Sequence, residues 1–444
     1  MSDTAHGAAG SVTDPLIVAN CSGFYGDRLS AMREMLDGGP VDVITGDYLA
    51  ELTMLILGKD QLRDPSLGYA RTFVTQIEQC LGDALERGVR IVSNAGGLNP
   101  IGLAERIREA AAGLGLSPTI GVVDGDDLAP RAGELGFEGA LTANAYLGGF
   151  GIARALAAGA DVVVTGRVTD ASVVVGPGIW RFGWSTDDHD ALAGAVAAGH
   201  VIECGTHATG GNFSGFMDLP RDALPLGFPI AELHADGSSV ITKHPGTGGM
   251  VTIDTVTAQL MYEIQGPVYD NPDVRTDLRS IELSGDGPDR VRISGVTGSA
   301  PPEQLKVATN TLGGHRNQME FVLVGLDLDA KEAWLREQMD AALADRRPAE
   351  VVWTRGPDPA ADADTEEGAA RRVRCVVKDP SAEVVGKAFT AAGVELALSS
   401  YPGFTLTAPP GKPSPFGVYR PAYVDRNQVH ERVLVDGVEI GEAS

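Results

Sequence analysis

The sequence predicts an α/β protein, with a mostly parallel sheet and crossover helices in its N-terminal part and a smaller α+β domain in its C-terminal part. The chain has 444 residues, and a single hydrophobic core seldom grows that large, so we expect two domains. Up to residue 265, short apolar runs alternate with longer segments of helical period, which is typical of parallel strands joined by helices. After residue 265 the runs alternate apolar and polar side chains and helices are few, which favours antiparallel pairing.

These changes along the chain predict the domain limits. Residues 1–14 are predicted to be a flexible N-terminus, residues 15–265 the α/β domain that carries glycine-rich strand-end loops, and residues 266–444 the α+β domain. The acidic, alanine-rich segment near residues 357–370 is expected to be a solvated loop. Residues 402–423 are rich in proline and glycine, and we expect them to be irregular because proline interrupts helices and central strands.

The individual elements follow from period and composition. In the N-terminal part, buried strands are predicted at residues 16–19, 41–45, 90–93, 119–123 and 161–165. Helices are predicted after Asp27, which we expect to be an N-cap, and at residues 48–57, 67–87, 101–114, 147–158, 189–198 and 251–264. The C-terminal part has strand patterns at residues 278–283, 290–293, 319–324, 351–354 and 371–377, and helical patterns at residues 329–343 and 382–397.

The formal net charge of −25 limits the classes of partner. Such a charge repels nucleic acids and anionic membrane surfaces, so we expect neither as a partner of the whole protein. The expected partner is a small molecule, and an anionic one would need a local positive site near a glycine loop. A homo-oligomer, with a dimer as the default, is the expected assembly because closed two-fold assemblies are the commonest.

The cysteines and the N-terminal sequence indicate the compartment. Cys21, Cys80, Cys204 and Cys375 are scattered and form no CxxC pair, so neither a disulfide framework nor a zinc ribbon is expected. The chain starts without a basic segment followed by an apolar one, and no apolar run approaches about 18 residues. We therefore expect a cytoplasmic protein with reduced thiols.

In parallel sheets, ligands bind beyond the carboxyl ends of the strands. The residues that follow the predicted strands are therefore candidates for substrate binding, and they include Ser22, Gly23, Phe24, Asp47, Asn94, Gly96 and Gly97. Asn94 with its two glycines suits contact with a carbonyl or a phosphate, although GG turns are common. The DGDD stretch at residues 124–127 could hold a divalent cation or cap the next helix. The histidines lack the spacing of a metal site, and we predict no metal.

Arg167 and Asp170 follow the fifth predicted strand in the stretch TGRVTD. A guanidinium group offers forked donors that suit a carboxylate or a phosphate, so Arg167 is a candidate for substrate binding. Asp170 could orient this group or act as a base. An Arg-Asp pair that only stabilises the turn is the alternative, and the position at a strand end favours the functional interpretation.

A second glycine-rich segment precedes the helix predicted at residues 251–264. Free backbone N–H groups at a helix start attract anions, glycines allow close approach, and a nearby lysine adds positive charge. A phosphate-binding loop is one interpretation, and an ordinary strand-to-helix turn is the other, since no Walker A sequence is present. The residues concerned are Lys243, Gly246, Thr247, Gly248 and Gly249.

The stretch IECGTHATGGNFSGF at residues 202–216 combines a thiol, an imidazole and a carboxylate with several glycines. A neighbouring base can convert a thiol into a nucleophile, which makes Cys204, Glu203 and His207 candidates for catalysis. Asn212 is a candidate for substrate binding in the same loop. The alternative for Cys204 is the commoner one, a small side chain that packs in the protein.

Together these stretches resemble a known family. VANCSGFYGDR, TGDYLAELTMLIL, VSNAGGLNP, LTANAYLGGFGIARAL, VVVTGRVTDAS, IECGTHATGGNFSGF and HPGTGGMVTIDTVTAQLMYEIQGP occur in the order found in the acyclic terpene utilisation family AtuA. The resemblance extends over nearly the whole chain. It implies a role in terpene breakdown, a process whose intermediates are acyl-CoA thioesters, but it supplies no catalytic residues. Some members are expected to carry an additional ferredoxin-like C-terminal domain, and we expect this chain to lack it.

The resemblance and the strand-end residues together imply an enzyme of acyl-CoA or small carboxylic acid metabolism. A hydratase, lyase or cyclase reaction is expected, without redox chemistry, because no GxGxxG follows a predicted strand. A CoA thioester is the expected substrate, and no cofactor is predicted. Two alternatives stay open at this point, a non-catalytic partner subunit of an acyl-CoA carboxylase and a nucleotide-dependent ligase.

Overall fold

The computed structural model describes residues 14–441. Apart from Asp14, the N-terminal segment that the sequence predicts to be flexible lies outside these residues. The described helices are α1 Ala31–Asp37, α2 Glu51–Arg63, α3 Arg71–Arg87, α4 Pro100–Gly113, α5 Phe150–Ala157, α6 Ser172–Phe182, α7 His189–Glu203, α8 Ile253–Leu260, α9 Leu328–Ala342 and α10 Phe389–Glu395. The strands are β1 Leu16–Asn20, β2 Val43–Gly46, β3 Arg90–Ser93, β4 Ile120–Asp124, β5 Thr142–Ala145, β6 Val162–Thr165, β7 Pro229–Leu233, β8 Ser239–Lys243, β9 Val268–Asp270, β10 Arg275–Asp277, β11 Glu282–Gly285, β12 Val291–Ser294, β13 Thr297–Ser299, β14 Gln304–Leu323, β15 Glu350–Arg355, β16 Arg371–Asp379, β17 Thr405–Leu406, β18 Ser414–Asp425, β19 Arg432–Val435 and β20 Val438–Ile440.

Eleven strands form one sheet in the order β11-β12-β8-β7-β1-β2-β3-β6-β4-β19-β20. The central strands β1, β2, β3, β6 and β4 pair in parallel. The flanking strands pair antiparallel, so the α/β class is confirmed but the prediction of a mostly parallel sheet is wrong. The reason is that three hairpins extend the parallel centre, and a chain that turns back within a few residues can pair only antiparallel.

The hairpin of β19 and β20 has a recognisable sequence signal. Asp436 and Gly437 join the two strands, with φ angles of 48° and 80°. A two-residue turn with both φ angles positive matches the right-handed twist of the strands, and Asp-Gly is a preferred sequence for it. The hairpin is therefore local in origin, whereas the pairing of β19 with β4 joins distant parts of the chain.

Helices cover both faces of the parallel centre. On β1, Val18 packs among α5, α6 and α7, while the next residue, Ala19, packs among α1, α3 and α4. Val43 and Ile44 of β2 divide in the same way. Successive side chains of a strand point to opposite faces, and both faces are buried, which explains the continuous apolar runs in the sequence.

The five N-terminal strands predicted from sequence are confirmed as β1, β2, β3, β4 and β6, and most predicted helices are present. The sequence did not predict α6, because its valines, glycines and Pro177 have poor helix propensity. Burial of nearly all of its residues overrides that propensity. Asp27 is not an N-cap, since α1 follows Ser30; its carboxylate instead accepts hydrogen bonds from the N–H groups of Gly23 and Arg28, at 2.9 Å and 2.7 Å.

The C-terminal predictions are confirmed in part. Strands β12, β15 and β16 and helix α9 match them, but Leu278–Ser280 forms a 3-10 turn. A π-helical turn at Val384–Ala388 interrupts the last predicted helix ahead of α10, because Gly386 leaves the helical conformation. The expectation of an irregular segment is wrong for β18, which includes two prolines. The acidic segment 357–370 has neither helix nor strand.

The described chain divides into two compact units. The first unit extends to Asn310 and resumes at Tyr419, and the second comprises Thr311–Val418. The domain boundary near residue 265 stays a sequence prediction. No helix within residues 14–441 is long and apolar enough to cross a membrane.

In the second unit, four strands of a six-stranded sheet pair antiparallel and have helices on one face. Its strand order is β15-β16-β14-β17, and α9 and α10 connect the strands in a βαββαβ sequence. This order and connection are those of a ferredoxin-like fold. Phe321 and Val373 lie on the covered face with Leu335 of α9 and Phe389 of α10. A ferredoxin-like unit is thus part of this chain, between elements of the first unit.

Close packing of α5 on the parallel sheet yields a stability prediction. A Cβ added to Gly121 of β4 would lie 2.8 Å from the Cβ of Ala155, which is too close without a shift of the helix. We expect Gly121→Ala to lower the free energy of unfolding by about 1 to 3 kcal/mol, as overpacked cores do. Urea denaturation followed by circular dichroism measures this.

Gly113→Ala is the matched control. Gly113 ends α4, and a Cβ there would meet no atom within 4 Å. We expect this variant to be as stable as the wild type or to gain up to about 1 kcal/mol from helix propensity. An equal loss of stability in both variants would contradict the packing argument.

Candidate functional site

The carboxyl ends of the parallel strands in the first unit gather a set of buried polar side chains. Asp47 follows β2, Asn94 follows β3 and Arg167 follows β6. Glu203 joins them from the C-terminal end of α7. All four are buried, with at most 4% of their surface exposed. Because polar groups are seldom buried without a purpose or a partner, this cluster is the candidate site of the first unit.

Arg167 is the cation of this cluster. Its Nη1 donates to Asp170 Oδ1 at 2.5 Å and to the carbonyl oxygen of Val168 at 3.2 Å. The guanidinium group stacks on the Tyr146 ring, 4.2 Å from its centroid. Burial lowers the pKa of Arg167, but Asp170 and its other neighbours raise it by more, so the net shift is upward. A permanently charged group is therefore held in one orientation, and its Nε has no partner among the described residues.

The backbone of the same turn is anchored by a second carboxyl group. Asp126 accepts hydrogen bonds from the Arg167 N–H and from Asn144 Nδ2, both at 2.8 Å. Burial raises the pKa of Asp126 to about 7, although these two hydrogen bonds lower it. Asp126 thus links the loops after β4 and β6. This contact explains how the DGDD stretch contributes to the site, through its one buried carboxylate.

Asp47 and Asn94 form a pair at the ends of neighbouring strands. Asn94 Nδ2 donates to Asp47 Oδ1 at 2.5 Å, and Asn94 Oδ1 accepts from the N–H of Tyr48 at 2.7 Å. Both the oxygen and the nitrogen of the Asn94 amide therefore make hydrogen bonds, and this fixed amide orients the carboxyl group of Asp47. Burial and the charge of Asp170 raise the pKa of Asp47, and Arg167 and Asn94 lower it by less.

The loop after β1 brings the end of α7 into the cluster. Asn20 Nδ2 donates to the carbonyl oxygens of Ile202 and Glu203, at 2.6 Å and 3.3 Å. A Cβ added to Gly23 would lie 2.4 Å from the N atom of Gly205, so a glycine is needed for this close approach. The two segments are far apart in sequence but in direct contact. Gly23 thus serves packing at the rim of the site.

Glu203 and His200 form a buried pair on the last turn of α7. Glu203 Oε1 and His200 Nδ1 are 2.8 Å apart, and both side chains are 2% exposed. Burial raises the pKa of Glu203 to about 7, although His200 lowers it. Burial lowers the pKa of His200, but Glu203 raises it by more. Glu203 Oε2 and His200 Nε2 have no partner among the described residues, so each has a free atom for a proton or a ligand.

Cys204, His207 and Asn212 form a second group beside this pair. Gln259 of α8 donates to the carbonyl oxygen of His200 at 3.0 Å, and its Oε1 lies 3.0 Å from His207 Nδ1. Asn212 Nδ2 lies 2.7 Å from His207 Nε2. Burial and the charge of Glu203 raise the pKa of the Cys204 thiol, so its thiolate is disfavoured. Both nitrogens of His207 are used in hydrogen bonds, and neither is bonded to Cys204.

The glycine-rich segment after β8 contacts the protein itself. Lys243 Nζ donates to the carbonyl oxygen of Thr247 at 2.8 Å and pairs with Asp289 at 3.2 Å. A Cβ on Gly248 would lie 2.3 Å from the carbonyl oxygen of Ala223. A Cβ on Gly249 would lie 2.2 Å from that of Thr209, and at Gly246 the space is open. This segment supports the loop that carries His207 and Asn212, and its lysine is already paired.

The other strand-end candidates have structural contacts as well. A Cβ on Gly96 would lie 2.4 Å from the carbonyl oxygen of Thr165, and Gly97 has a φ of 53°, which favours glycine. Ser22 is 1% exposed, and its hydroxyl donates to the carbonyl oxygen of Phe24 at 3.2 Å. The Phe24 side chain is 54% exposed. The structure therefore brings together Asp47, Arg167, Asp170 and Glu203, leaves Lys243 outside this cluster, and gives most of the glycines structural contacts.

Comparison with known protein families identifies the family of the chain. A family model described as acyclic terpene utilisation family protein AtuA matches residues 16–435. The chain belongs to the AtuA family. No curated protein and no solved structure matches this chain. The AtuA match includes both compact units, so the ferredoxin-like unit is part of the matched family region.

Several site residues of this AtuA chain were not singled out by sequence. Asn144 lies within β5 and Tyr146 directly follows it, both in the stretch LTANAYLGGFG, where no strand is predicted from sequence. His200 lies three residues before Glu203 on a helix, a separation that predicts contact between the two side chains. Tyr269 offers no local signal, yet its ring lies 5.5 Å from that of His200. Within the described residues, no group of three or more His, Cys, Asp or Glu is placed to hold a metal ion.

The Glu203–His200 pair predicts how stability depends on pH. The pKa of Glu203 is about 7 in the folded protein against an ordinary 4.5, so the folded state binds more protons between these values. The contribution of Glu203 to stability is then greatest at a pH below its ordinary pKa, and it is lost as the pH rises through the pKa of the folded protein. The raised pKa of His200 acts in the same direction. We expect Glu203→Gln to abolish or reverse this loss. Between about pH 5 and about pH 8, the free energy of unfolding of the variant should improve by about 2 to 3 kcal/mol relative to that of the wild type.

Urea denaturation at a series of pH values measures this effect. Glu86→Gln is the control, because Glu86 is exposed on α3 and its replacement removes the same charge. The control should retain the wild-type pH dependence. An unchanged slope in Glu203→Gln would show that the buried pair does not bind the extra proton.

Proposed function

We propose that this AtuA protein is an acid–base enzyme of the lyase or hydratase type, acting on a CoA thioester or a related small carboxylic acid. The observation that carries the proposal is the buried guanidinium of Arg167, which interacts with the carboxyl groups of Asp170 and Asp47, with the carboxyl group of Glu203 near enough to interact with both aspartates. Enzymes that move protons at neutral pH need carboxyl groups with raised pKa values in a site that excludes water.

Arg167 supplies the binding group for the substrate. Its Nη1 is used by Asp170, while its Nε has no partner among the described residues, so one donor is free for an oxygen of the substrate. The carbonyl oxygen of a thioester, or an oxygen of a carboxylate, suits this donor because it gains negative charge when a neighbouring carbon loses a proton. The stacked Tyr146 ring keeps the guanidinium in place.

Glu203 is the proposed base, and Asp47 the proposed acid. The Glu203 carboxylate takes a proton from the carbon next to the carbonyl group, and the electron pair left behind forms a double bond to the following carbon. A hydroxyl group on that carbon receives a proton from the carboxyl group of Asp47, whose pKa burial raises, and leaves as water. The reverse sequence of steps hydrates the double bond. His200 is a positioning residue, since it holds one oxygen of Glu203 at 2.8 Å.

Cys204 and His207 have supporting roles in this proposal. The raised pKa of the thiol disfavours nucleophilic attack at neutral pH. His207 is held between Gln259 and Asn212, which stabilises the loop at the rim of the site. The proposed reaction therefore needs no covalent intermediate.

Ligand-dependent stabilisation tests the substrate class. We expect acyl-CoAs or small carboxylic acids to raise the melting temperature by a few degrees, since a ligand that binds only the folded state stabilises it. Free CoA and ATP with magnesium are the comparison ligands. Arg167→Lys should lose the stabilisation, because a lysine has neither the fork nor the stacked plane of the guanidinium.

Arg371→Lys is the matched control for this measurement. Arg371 is also a buried arginine, 5% exposed, with carboxylate partners in the second unit. The control should retain the ligand-induced rise in melting temperature. Stabilisation by ATP with none from acyl-CoAs or acids would overturn the proposal in favour of a nucleotide-dependent enzyme.

Turnover of a stabilising substrate tests the roles of the two carboxyl groups. We expect Glu203→Gln and Asp47→Asn each to lower kcat by about 10² to 10⁴, the usual contribution of a positioned acid or base. Because the base must be ionised, kcat/KM of the wild type should rise through about pH 7, the pKa of Glu203. His200→Gln should move this rise to higher pH, since His200 lowers the pKa of Glu203.

Asp273→Asn is the control for the loss of a buried carboxyl group. Asp273 is 8% exposed and accepts a hydrogen bond from the N–H of Gly149 at 2.7 Å. The control should retain most of the wild-type kcat. Full activity in Glu203→Gln would remove Glu203 from the proposed reaction.

A further inference from the structure

The sheet of the second unit has one covered face and one open face. Met319, Phe321 and Cys375 point to the covered face, where they pack with α9 and α10. The residues between them point the other way, and in the pairing of β14 with β16, Gln318 lies opposite Val376 and Glu320 opposite Arg374. Two cavities lie on the open face, and none of the residues that line them belongs to a helix of this unit.

Two arginines on the open face have no ion pair. Every other arginine of the second unit is paired with a carboxylate at 3.3 Å or less. Among the described residues, Arg316 and Arg374 have no such partner, and neither has Lys412. Arg374 contacts the hydroxyl group of Thr354 at 3.4 Å. In a chain with a net charge of −25, carboxylates are abundant, so unpaired arginines at one place are informative.

The same three cations line one groove. Its volume is about 650 Å³, and Arg316, Arg374 and Lys412 share it with a single carboxylate, that of Glu320. This volume lies in the range of small-molecule sites. A second cavity of about 440 Å³ shares Glu320 and Arg374 with the first and continues to Arg372. The groove is thus an elongated depression with a net positive lining.

One wall of the groove is a proline-rich segment, residues 407–413. Its sequence is TAPPGKP, and Lys412 lies between a glycine and a proline. Asn317 is buried under this segment, and its Nδ2 donates to the carbonyl oxygens of Gly411 and Val385, at 3.0 Å and 2.9 Å. Prolines restrict φ, so the wall is ordered before any ligand binds.

We propose that this groove binds a small molecule with a phosphate ester or diphosphate group. Two guanidinium groups and an ammonium group in one groove match a multiply charged anion better than a single carboxylate. The proposal depends only on residues of the second unit, and it is independent of the reaction proposed for the first. The ligand is either a nucleotide or the phosphate-bearing part of a CoA thioester, since both have this chemistry.

A single-stranded nucleic acid is a less suitable occupant. Proteins bind single strands by stacking bases on aromatic side chains as well as by charge. The open-face residues of β14 and β16 that line the groove are Arg316, Gln318, Glu320, Arg374 and Val376, none of them aromatic. The charge of the whole chain also repels a long polyanion.

Calorimetric titration of the full chain with inorganic diphosphate tests the proposal, with ADP and free CoA as further arms. We expect saturable binding that weakens as salt is added, because charge dominates the contact. The double variant R316Q/R374Q should bind diphosphate at least about tenfold more weakly, since each charge-assisted contact contributes substantially. K412Q alone should show a smaller loss. Tighter binding of ADP than of CoA would identify a nucleotide, and the reverse order a CoA thioester.

R63Q/R221Q is the matched control, with the same change in charge. Arg63 and Arg221 are exposed arginines of the first unit without ion pairs among the described residues. This control should bind diphosphate as the wild type does, and so should Arg167→Lys. Failure of the diphosphate-binding proposal can therefore be told apart from failure of the reaction proposed for the first unit. If R316Q/R374Q unfolds, the result for K412Q decides.

Four outcomes would overturn the proposal. They are the absence of diphosphate binding, equal binding by the groove variants, tighter binding of a short oligonucleotide than of any small ligand, and a decrease in oligomer mass when the arginines are replaced. The third would indicate a nucleic-acid surface. The last, measured by light scattering, would indicate that a second copy of the chain covers this face.

Discussion

The buried guanidinium of Arg167 is the interaction on which the candidate site depends. The charge of Asp170 raises the pKa of both Asp47 and Glu203, and a set of carboxylates in such a buried place without a cation would be costly. Arg167 offsets part of that cost, and Asp126 and Tyr146 hold it in place. The result is a charge arrangement in which some carboxyl groups stay protonated near neutral pH. Such groups can donate and accept protons, which is why an acid–base reaction is the function that this geometry supports best.

The glycines of the strand-end loops allow that arrangement to be compact. Gly23 permits the β1 loop to contact the backbone after Glu203, and Gly96 permits the β3 loop to contact the carbonyl oxygen of Thr165. Loops that carry side chains from separate strands can converge only if some of their residues have no side chain. A glycine-rich loop therefore indicates close approach, and the approaching atom can belong to the protein as well as to a ligand.

The second unit follows a different principle. Its sheet is amphipathic, with an apolar face covered by α9 and α10 and an open face that carries Arg316 and Arg374. Most charges of the unit neutralise one another, whereas these two arginines remain unpaired. The alternation of residues along β14 and β16 predicts the two faces from sequence, but the shortage of carboxylates around particular arginines depends on which strands lie side by side.

By itself, the sequence determined the α/β class, the five parallel strands and the family, because strand ends and helical period are local properties. It also made Asp47, Asn94, Arg167, Asp170 and Glu203 candidates for the site. Only the tertiary structure decided that the flanking strands pair antiparallel and that the segment with Lys243 is engaged with the protein. It also decided that Asn20 holds the end of α7 and that Tyr269 lies beside His200. Sequence cannot reveal such contacts when they join residues far apart in the chain. The pKa values of the site's carboxyl groups likewise depend on burial, which only the packed fold creates.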